Sequence, residues 1–136
     1  MTPPSCIECS QPAKLVTGER IYPHREDLHD RNYWLCGCGA YVGCHYGGKR
    51  PLGYPCGPKT RVARQQAHLW FDKLWQAKMR REGCTQFEAR SAGYRWLAAQ
   101  MDMHVDECHI GMMTEAQAWK VVGICKQVGR KRRGEG

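Results

Sequence analysis

The chain has 136 residues, of which 42% are hydrophobic and 25% charged, enough for one ordinary domain or for a small module joined to a second one. It has nine cysteines, but the odd count, their close pairing and the lack of an apolar stretch at the N-terminus argue against a secreted disulfide scaffold. No apolar run approaches the length needed to span a bilayer. The composition therefore predicts a soluble cytoplasmic protein without a membrane partner.

The net charge of +8 is unevenly distributed. Residues 58–81 sum to +6 and residues 129–136 to +3, whereas residues 82–128 sum to −2. A focused positive field attracts polyanions such as nucleic acid. The alternative is a solvated basic helix that only aids solubility.

The N-terminal part, residues 1–57, predicts small antiparallel strands. Short runs rich in β-branched and aromatic residues are bounded by Gly, Pro, Asp and Asn. The four predicted strands are 14–17, 20–22, 33–35 and 40–42. Gly18-Glu19 is predicted to form a hairpin turn between the first two, and the glycines and prolines after residue 46 break regular structure.

The remainder of the chain predicts helices. A long basic helix over 59–81 has apolar residues at three- and four-residue steps. Capping boxes at Thr85-Gln-Phe-Glu88 and Thr114-Glu-Ala-Gln117 predict a helical pair over about 85–103 and 114–128. Residues 129–136 are predicted to be a disordered basic tail. The fold class is thus α+β: a β module over 1–57, a helical part over 58–128, and the tail.

Two close cysteine pairs flank the strand-rich segment. Cys6-Ile-Glu-Cys9 has the C-x-x-C spacing at which a tight turn points both sulfurs at one ion, and Cys36-Gly-Cys38 is one residue shorter. This arrangement is typical of a zinc ribbon and predicts one structural Zn²⁺ bound by four thiolates, with no open position for water. Cys44 and His45 lie just beyond the second pair and are the alternative ligands. Either residue would take the place of Cys38 as the fourth ligand.

A polar stripe on the long helix is the second candidate site. Arg61, Arg64, His68 and Asp72 are spaced three, four and four residues apart, so they line one side of the helix. The stripe binds a phosphodiester in one interpretation, because paired arginines grip phosphate and Asp72 can orient His68 as a base. In the other interpretation it is a hydrogen-bonded seam where the helix docks on the zinc module. The remaining candidate contacts to nucleic acid or a partner are the other cations of the helix and tail: Lys73, Lys78, Arg80, Arg81, Arg130, Lys131, Arg132 and Arg133.

Three segments also resemble a known family. They are Cys38-Gly-Ala-Tyr-Val-Gly-Cys-His45, Arg50-Pro-Leu-Gly53 and Arg61-x-x-Arg64-x-x-x-His68-x-x-x-Asp72-x-x-Trp75, with similar features at Tyr94-x-Trp-Leu97 and Cys108-His-Ile-Gly111. From Cys6 to about Val122 the chain resembles a zinc-finger-containing domain family of unknown function, found mainly in tailed phages and prophages. The resemblance implies a zinc-binding phage accessory protein of the host cytoplasm.

Three functions remain open. The first is nucleic-acid binding through the basic helix and tail, with Tyr33, Trp34, Tyr41 and Tyr46 as stacking faces for unpaired bases. The second is a protein-interaction module that modulates a host protein. The third is a metal-assisted nuclease that uses His45, His68 and Asp72, for which four thiolates provide no open metal position. No recognised catalytic motif is present, so a non-enzyme is expected.

Overall fold

The computed structural model describes the backbone of residues 2–132 and the side chains of residues 2–131. The chain divides into two compact units, Met1–Lys59 and Thr60–Gly136. The first contains a small antiparallel sheet and the second contains helices, so the α+β class predicted from the sequence is confirmed. Over the described residues, no helix combines the length and the apolar character needed to cross a membrane.

The sheet of the N-terminal unit has three strands in the order β1-β2-β3. They are β1 (Lys14–Thr17), β2 (Asn32–Leu35) and β3 (Tyr41–Gly43), and each pair is antiparallel. Trp34 lies in register with Leu15 on one side and Val42 on the other. Trp34 and Val42 pack with Ala13 in a small buried cluster, which holds the middle of the sheet.

The prediction of a strand over 20–22 is wrong. The chain forms the one-turn helix α1 (Gly18–Ile21) at this place. Gly18 is buried, and its amide donates to the carbonyl of Arg31 at 2.7 Å. A Cβ on Gly18 would lie 1.7 Å from the carbonyl oxygen of Leu28, so only glycine allows this approach. The chain therefore turns inward at Gly18, and β1 pairs with the later strand β2 instead of with 20–22.

The helical unit contains the three predicted helices, α2 (Pro58–Glu82), α3 (Gln86–Met101) and α4 (Glu115–Arg132). Both capping boxes form as predicted. The Thr85 hydroxyl accepts from the Glu88 amide at 3.1 Å, and the Glu88 carboxylate accepts from the Thr85 amide at 3.0 Å. Thr114 and Gln117 make the same reciprocal pair. Each box satisfies amides that the first turn of a helix leaves without backbone partners.

One core joins the three helices. Its fully buried side chains include Phe71 of α2, Leu97 of α3 and Val121 of α4. A Cβ on Gly93 would lie 3.1 Å from the Phe71 ring, so α3 approaches α2 closely at this glycine. The burial of these apolar side chains stabilises the unit.

The prediction of a disordered tail is wrong for its first four residues, 129–132, because α4 continues to Arg132. Lysine and arginine have good helix propensity, and cations in a last turn interact favourably with the helix dipole. Arg130 and Lys131 are exposed on this extension. Arg133 and the rest of the predicted tail lie outside the described residues.

Candidate metal centre

Each cysteine pair lies on a tight turn that is followed by a residue with a positive φ. In the first, the Ser10 amide donates to the Cys6 carbonyl at 2.9 Å, and Ser10 has a φ of 67°. In the second, the Gly39 amide donates to the Cys36 carbonyl at 2.9 Å, and Gly39 has a φ of 98°. A positive φ directly after each pair turns the backbone around the sulfurs, and glycine adopts it without steric cost. Serine does so less readily, so Ser10 gave no signal in the sequence.

The four sulfurs converge as a tetrahedral ion requires. The Sγ atoms of Cys6, Cys9, Cys36 and Cys38 all lie within 4.8 Å of one another. Cys6 Sγ is 3.7 Å from Cys38 Sγ, and Cys9 Sγ is 3.3 Å from Cys36 Sγ. Zn–S bonds of about 2.3 Å in a tetrahedron place sulfurs about 3.8 Å apart, whereas a disulfide needs about 2.05 Å. The cluster therefore has the spacing of four ligands to one zinc ion and not that of two disulfides.

Burial differs between the two members of each pair, and the thiol pKa differs between the two buried cysteines. Cys6 and Cys36 are 2% and 3% exposed, whereas Cys9 and Cys38 are exposed. Burial raises the pKa of the Cys6 thiol to about 12, while the backbone amide of Cys38 and the Cys9 thiol lower the pKa of Cys36 to about 7. Bound Zn²⁺ would supply the positive charge that holds all four groups as thiolates.

A second set of hydrogen bonds fixes the first turn. The Ile7 amide donates to the Pro55 carbonyl at 2.9 Å, and the Gly57 amide donates to the Glu8 carboxylate at 2.6 Å. Cys56, which lies between Pro55 and Gly57, exchanges both backbone hydrogen bonds with Tyr41 of β3. The turn that holds Cys6 and Cys9 is therefore joined to the sheet. Sequence reasoning missed Glu8, because its partner is 49 residues away.

The alternative ligands Cys44 and His45 do not lie with the four sulfurs. Cys44 is half-buried against the apolar cluster that contains Trp34, and burial there raises the pKa of its thiol. His45 is exposed. Among the described residues, the four sulfurs form the one group whose ligand atoms converge. The second predicted pair, Cys36 and Cys38, is therefore confirmed.

This geometry defines a closed four-thiolate centre, which fits one structural zinc ion. A family model described as a zinc-finger-containing domain matches residues 2–128, so the chain belongs to that family. No curated protein and no solved structure matches the chain.

Arg64 does not face solvent as a phosphate ligand would. Its side chain is only 6% exposed, and Nε donates to the Met113 carbonyl at 2.8 Å. The bond connects α2 to the segment just before α4. Arg64 therefore has a structural role in the helical unit, and its burial does not support the predicted contact to nucleic acid.

His68 and Asp72 do not form a dedicated acid–base pair either. Asp72 accepts a hydrogen bond from the Trp75 indole at 2.8 Å. Burial lowers the pKa of His68, against an opposing effect of Asp72, and so favours the neutral imidazole. Arg61, the first residue of the stripe, is half-buried. The four residues therefore share a helix face without forming one exposed site.

The other predicted cations are at the surface. Lys73 Nζ lies 4.4 Å from the centre of the Trp70 ring, and Lys126 Nζ of α4 approaches the same ring at 5.0 Å. Lys78 forms an ion pair with Glu82 at 2.8 Å, and Arg80 and Arg81 are exposed. Sequence reasoning missed Lys126, because its proximity to Trp70 depends on how α4 packs on α2.

Most of the proposed stacking aromatics are internal. Tyr33 and Trp34 are buried, and the Tyr41 hydroxyl is 2.6 Å from that of Tyr22. Tyr46 is 94% exposed, with the Arg31 guanidinium 5.9 Å from its ring centre. Only Tyr46 of these four offers a free ring face to a ligand.

Proposed function

We propose that this zinc-finger-containing protein acts as a phage accessory protein that binds nucleic acid through the surface shared by α2 and α4. One observation carries the proposal: Lys73 and Lys126, from different helices, both place their ammonium groups on the ring of Trp70. Two ammonium groups held close together repel each other, and an anion bound beside them would offset that repulsion. A chain of phosphates supplies such anions at regular intervals.

The positive charge continues towards the C-terminal ends of both helices. Lys78 and Arg81 of α2 line a groove together with Val128 of α4 and Trp96 of α3. Val128 lies one turn before the end of α4, so this groove is near the C-terminal ends of α2 and α4, which carry the further exposed cations Arg80, Arg130 and Lys131. Cations that converge from two helices make a focused positive field, which raises the local concentration of a polyanion.

The zinc centre has a supporting role in this proposal. Four thiolates leave no coordination position for a substrate or a water molecule. The ion would stabilise the N-terminal unit, and the helical unit would contact phosphate.

Salt titration of binding tests the proposal. We expect the protein to bind labelled DNA and RNA with an affinity that falls linearly as salt rises on logarithmic axes. The double variant Lys73→Ala/Lys126→Ala should weaken binding of every sequence and reduce the magnitude of the salt slope by about two, one for each lost phosphate contact.

The matched control is Lys14→Ala/Lys49→Ala, which removes the same charge from exposed positions of the N-terminal unit. It should leave the slope close to that of the wild type. Equal effects of the two double variants would show that net charge, and not this surface, governs binding.

If the wild type binds no nucleic acid at low salt, the protein-interaction module becomes the better candidate. Val62 and Leu69, each 50% exposed and two turns apart on α2, would then be its first candidate contacts.

A further inference from the structure

A second groove of the helical unit lies between α3 and the segment over 105–109 that follows it. Its volume is about 720 Å³. The side chains that line it include Phe87, Arg90, Tyr94, Arg95, Asp106 and His109. None of these residues belongs to the surface of Lys73 and Lys126.

Phe87 is the unusual member of this groove. Its side chain is 79% exposed, although burial of a phenyl ring would stabilise the fold. The ring takes no part in the buried core of the unit, which uses Ala89, Leu97 and Ala98 from the same helix. An exposed aromatic ring with no role in the core is a candidate binding residue, and what it offers a ligand is a flat face.

Two arginines line the same groove as Phe87. They are Arg90 and Arg95, and the Arg90 guanidinium lies 5.6 Å from the centre of the Tyr94 ring. His109 packs near Tyr94 with ring centres 6.3 Å apart. Asp106 is the opposing charge, 85% exposed and 3.4 Å from His104 Nδ1. Two arginines against one carboxylate give the groove a positive balance that suits an anionic ligand.

We propose that this groove binds an unpaired stretch of nucleic acid, with a base stacked on Phe87 and the flanking phosphates on Arg90 and Arg95. The inference rests on the proposed function and specifies the form of its ligand. Within a duplex the neighbouring stacked base pairs cover the faces of each base, whereas an unstacked, unpaired base can stack on an aromatic side chain. Such stacking tolerates any sequence, because every base has a flat face, and arginines beside it track the backbone.

The test compares a labelled single-stranded oligonucleotide with a labelled duplex by fluorescence anisotropy at fixed salt. Phe87→Ala should weaken binding of the single strand about fivefold or more, which is the usual effect of removing one stacking ring, and should leave duplex binding within about twofold. Trp119→Ala is the matched control, because Trp119 is a 44% exposed aromatic of α4 that does not line the groove. Its binding of both probes should equal that of the wild type.

Asp106→Asn provides a second readout that does not depend on loss of function. Removal of the negative charge beside the arginines should strengthen binding of the single strand. Unchanged binding by Phe87→Ala, or equal losses on both probes, would overturn the stacking inference while the wild type still binds nucleic acid. Absence of wild-type binding to either probe would overturn the proposed function and this inference together.

Discussion

At the scale of single residues, burial and not residue type separates the arginines of α2. Arg64 and Arg80 lie on the same helix, yet Arg64 is 6% exposed and Arg80 is exposed. Arg64 donates through Nε to the Met113 carbonyl, a partner 49 residues along the chain. A buried hydrogen bond from a charged donor contributes more to stability than a neutral one, and its loss leaves the carbonyl without that donor.

We expect Arg64→Ala to destabilise the helical unit by about 1–3 kcal/mol, because the Met113 carbonyl would lose a buried donor. Urea unfolding followed by circular dichroism at the helical band measures the change. Arg80→Ala is the control, and it should remain within about 0.5 kcal/mol of the wild type, as surface substitutions usually do. Equal stability of both variants would show that the bond to Met113 contributes little.

At the scale of elements, local signals predicted most of the fold. The helix starts at Thr85 and Thr114 follow from side chains three residues apart, and three of the four strands follow from β-branched and aromatic runs. The cysteine spacing likewise predicted all four sulfurs of the metal centre. These features depend on neighbours in sequence, so the sequence alone contains the information.

The features that were missed depend on contacts between distant segments. The helix α1 forms because Gly18 packs on the backbone of Leu28. Arg64 is buried because Met113 is its partner, and Lys126 reaches Trp70 because α4 packs on α2. Spacing along the chain contains no signal for any of these pairs, and helical periodicity placed Arg64 on a polar stripe without revealing what covers it.

We expect Gly18→Ala to disrupt the N-terminal unit. The added Cβ would meet the Leu28 carbonyl oxygen at 1.7 Å, and backbone cannot move aside as a flexible side chain can. Forcing extra atoms into a packed site typically costs about 1–3 kcal/mol, and the clash with backbone places this variant at the upper end or beyond. A chromogenic chelator should extract zinc from it faster than from the wild type.

Gly48→Ala is the control for this substitution, because its added Cβ would be 3.7 Å from the nearest atom, the His45 carbonyl oxygen, an ordinary contact. Its zinc release should match the wild type. Equal release by Gly18→Ala would indicate that the loop around Leu28 can shift without cost to the metal centre.

At the scale of the whole molecule, the two units differ in what stabilises them. The helical unit has a large apolar core that includes Phe71, Leu97 and Val121. The described residues of the N-terminal unit form two small clusters of three buried residues each, and one of them contains the ligands Cys6 and Cys36. Small modules with little apolar core usually need a metal or disulfides to fold. The free energy of zinc binding is therefore expected to contribute directly to folding of the first unit.

We expect zinc removal to unfold the N-terminal unit and to leave the helices of the second unit largely intact, because only the first unit depends on the ion. Cys9→Ser should act in the same way, since it removes one of the four thiolates.

Cys44→Ser is the control, because this half-buried thiol lies outside the cluster of four sulfurs. Elemental analysis should find about one zinc per chain in the wild type and in Cys44→Ser, and much less in Cys9→Ser. Circular dichroism should retain most of the helical signal in all three, while the near-ultraviolet signal of the aromatic side chains, to which the buried Tyr33 and Trp34 of the first unit contribute, should decrease most in Cys9→Ser. Complete loss of helix in Cys9→Ser would contradict the expectation and show that the two units fold as one.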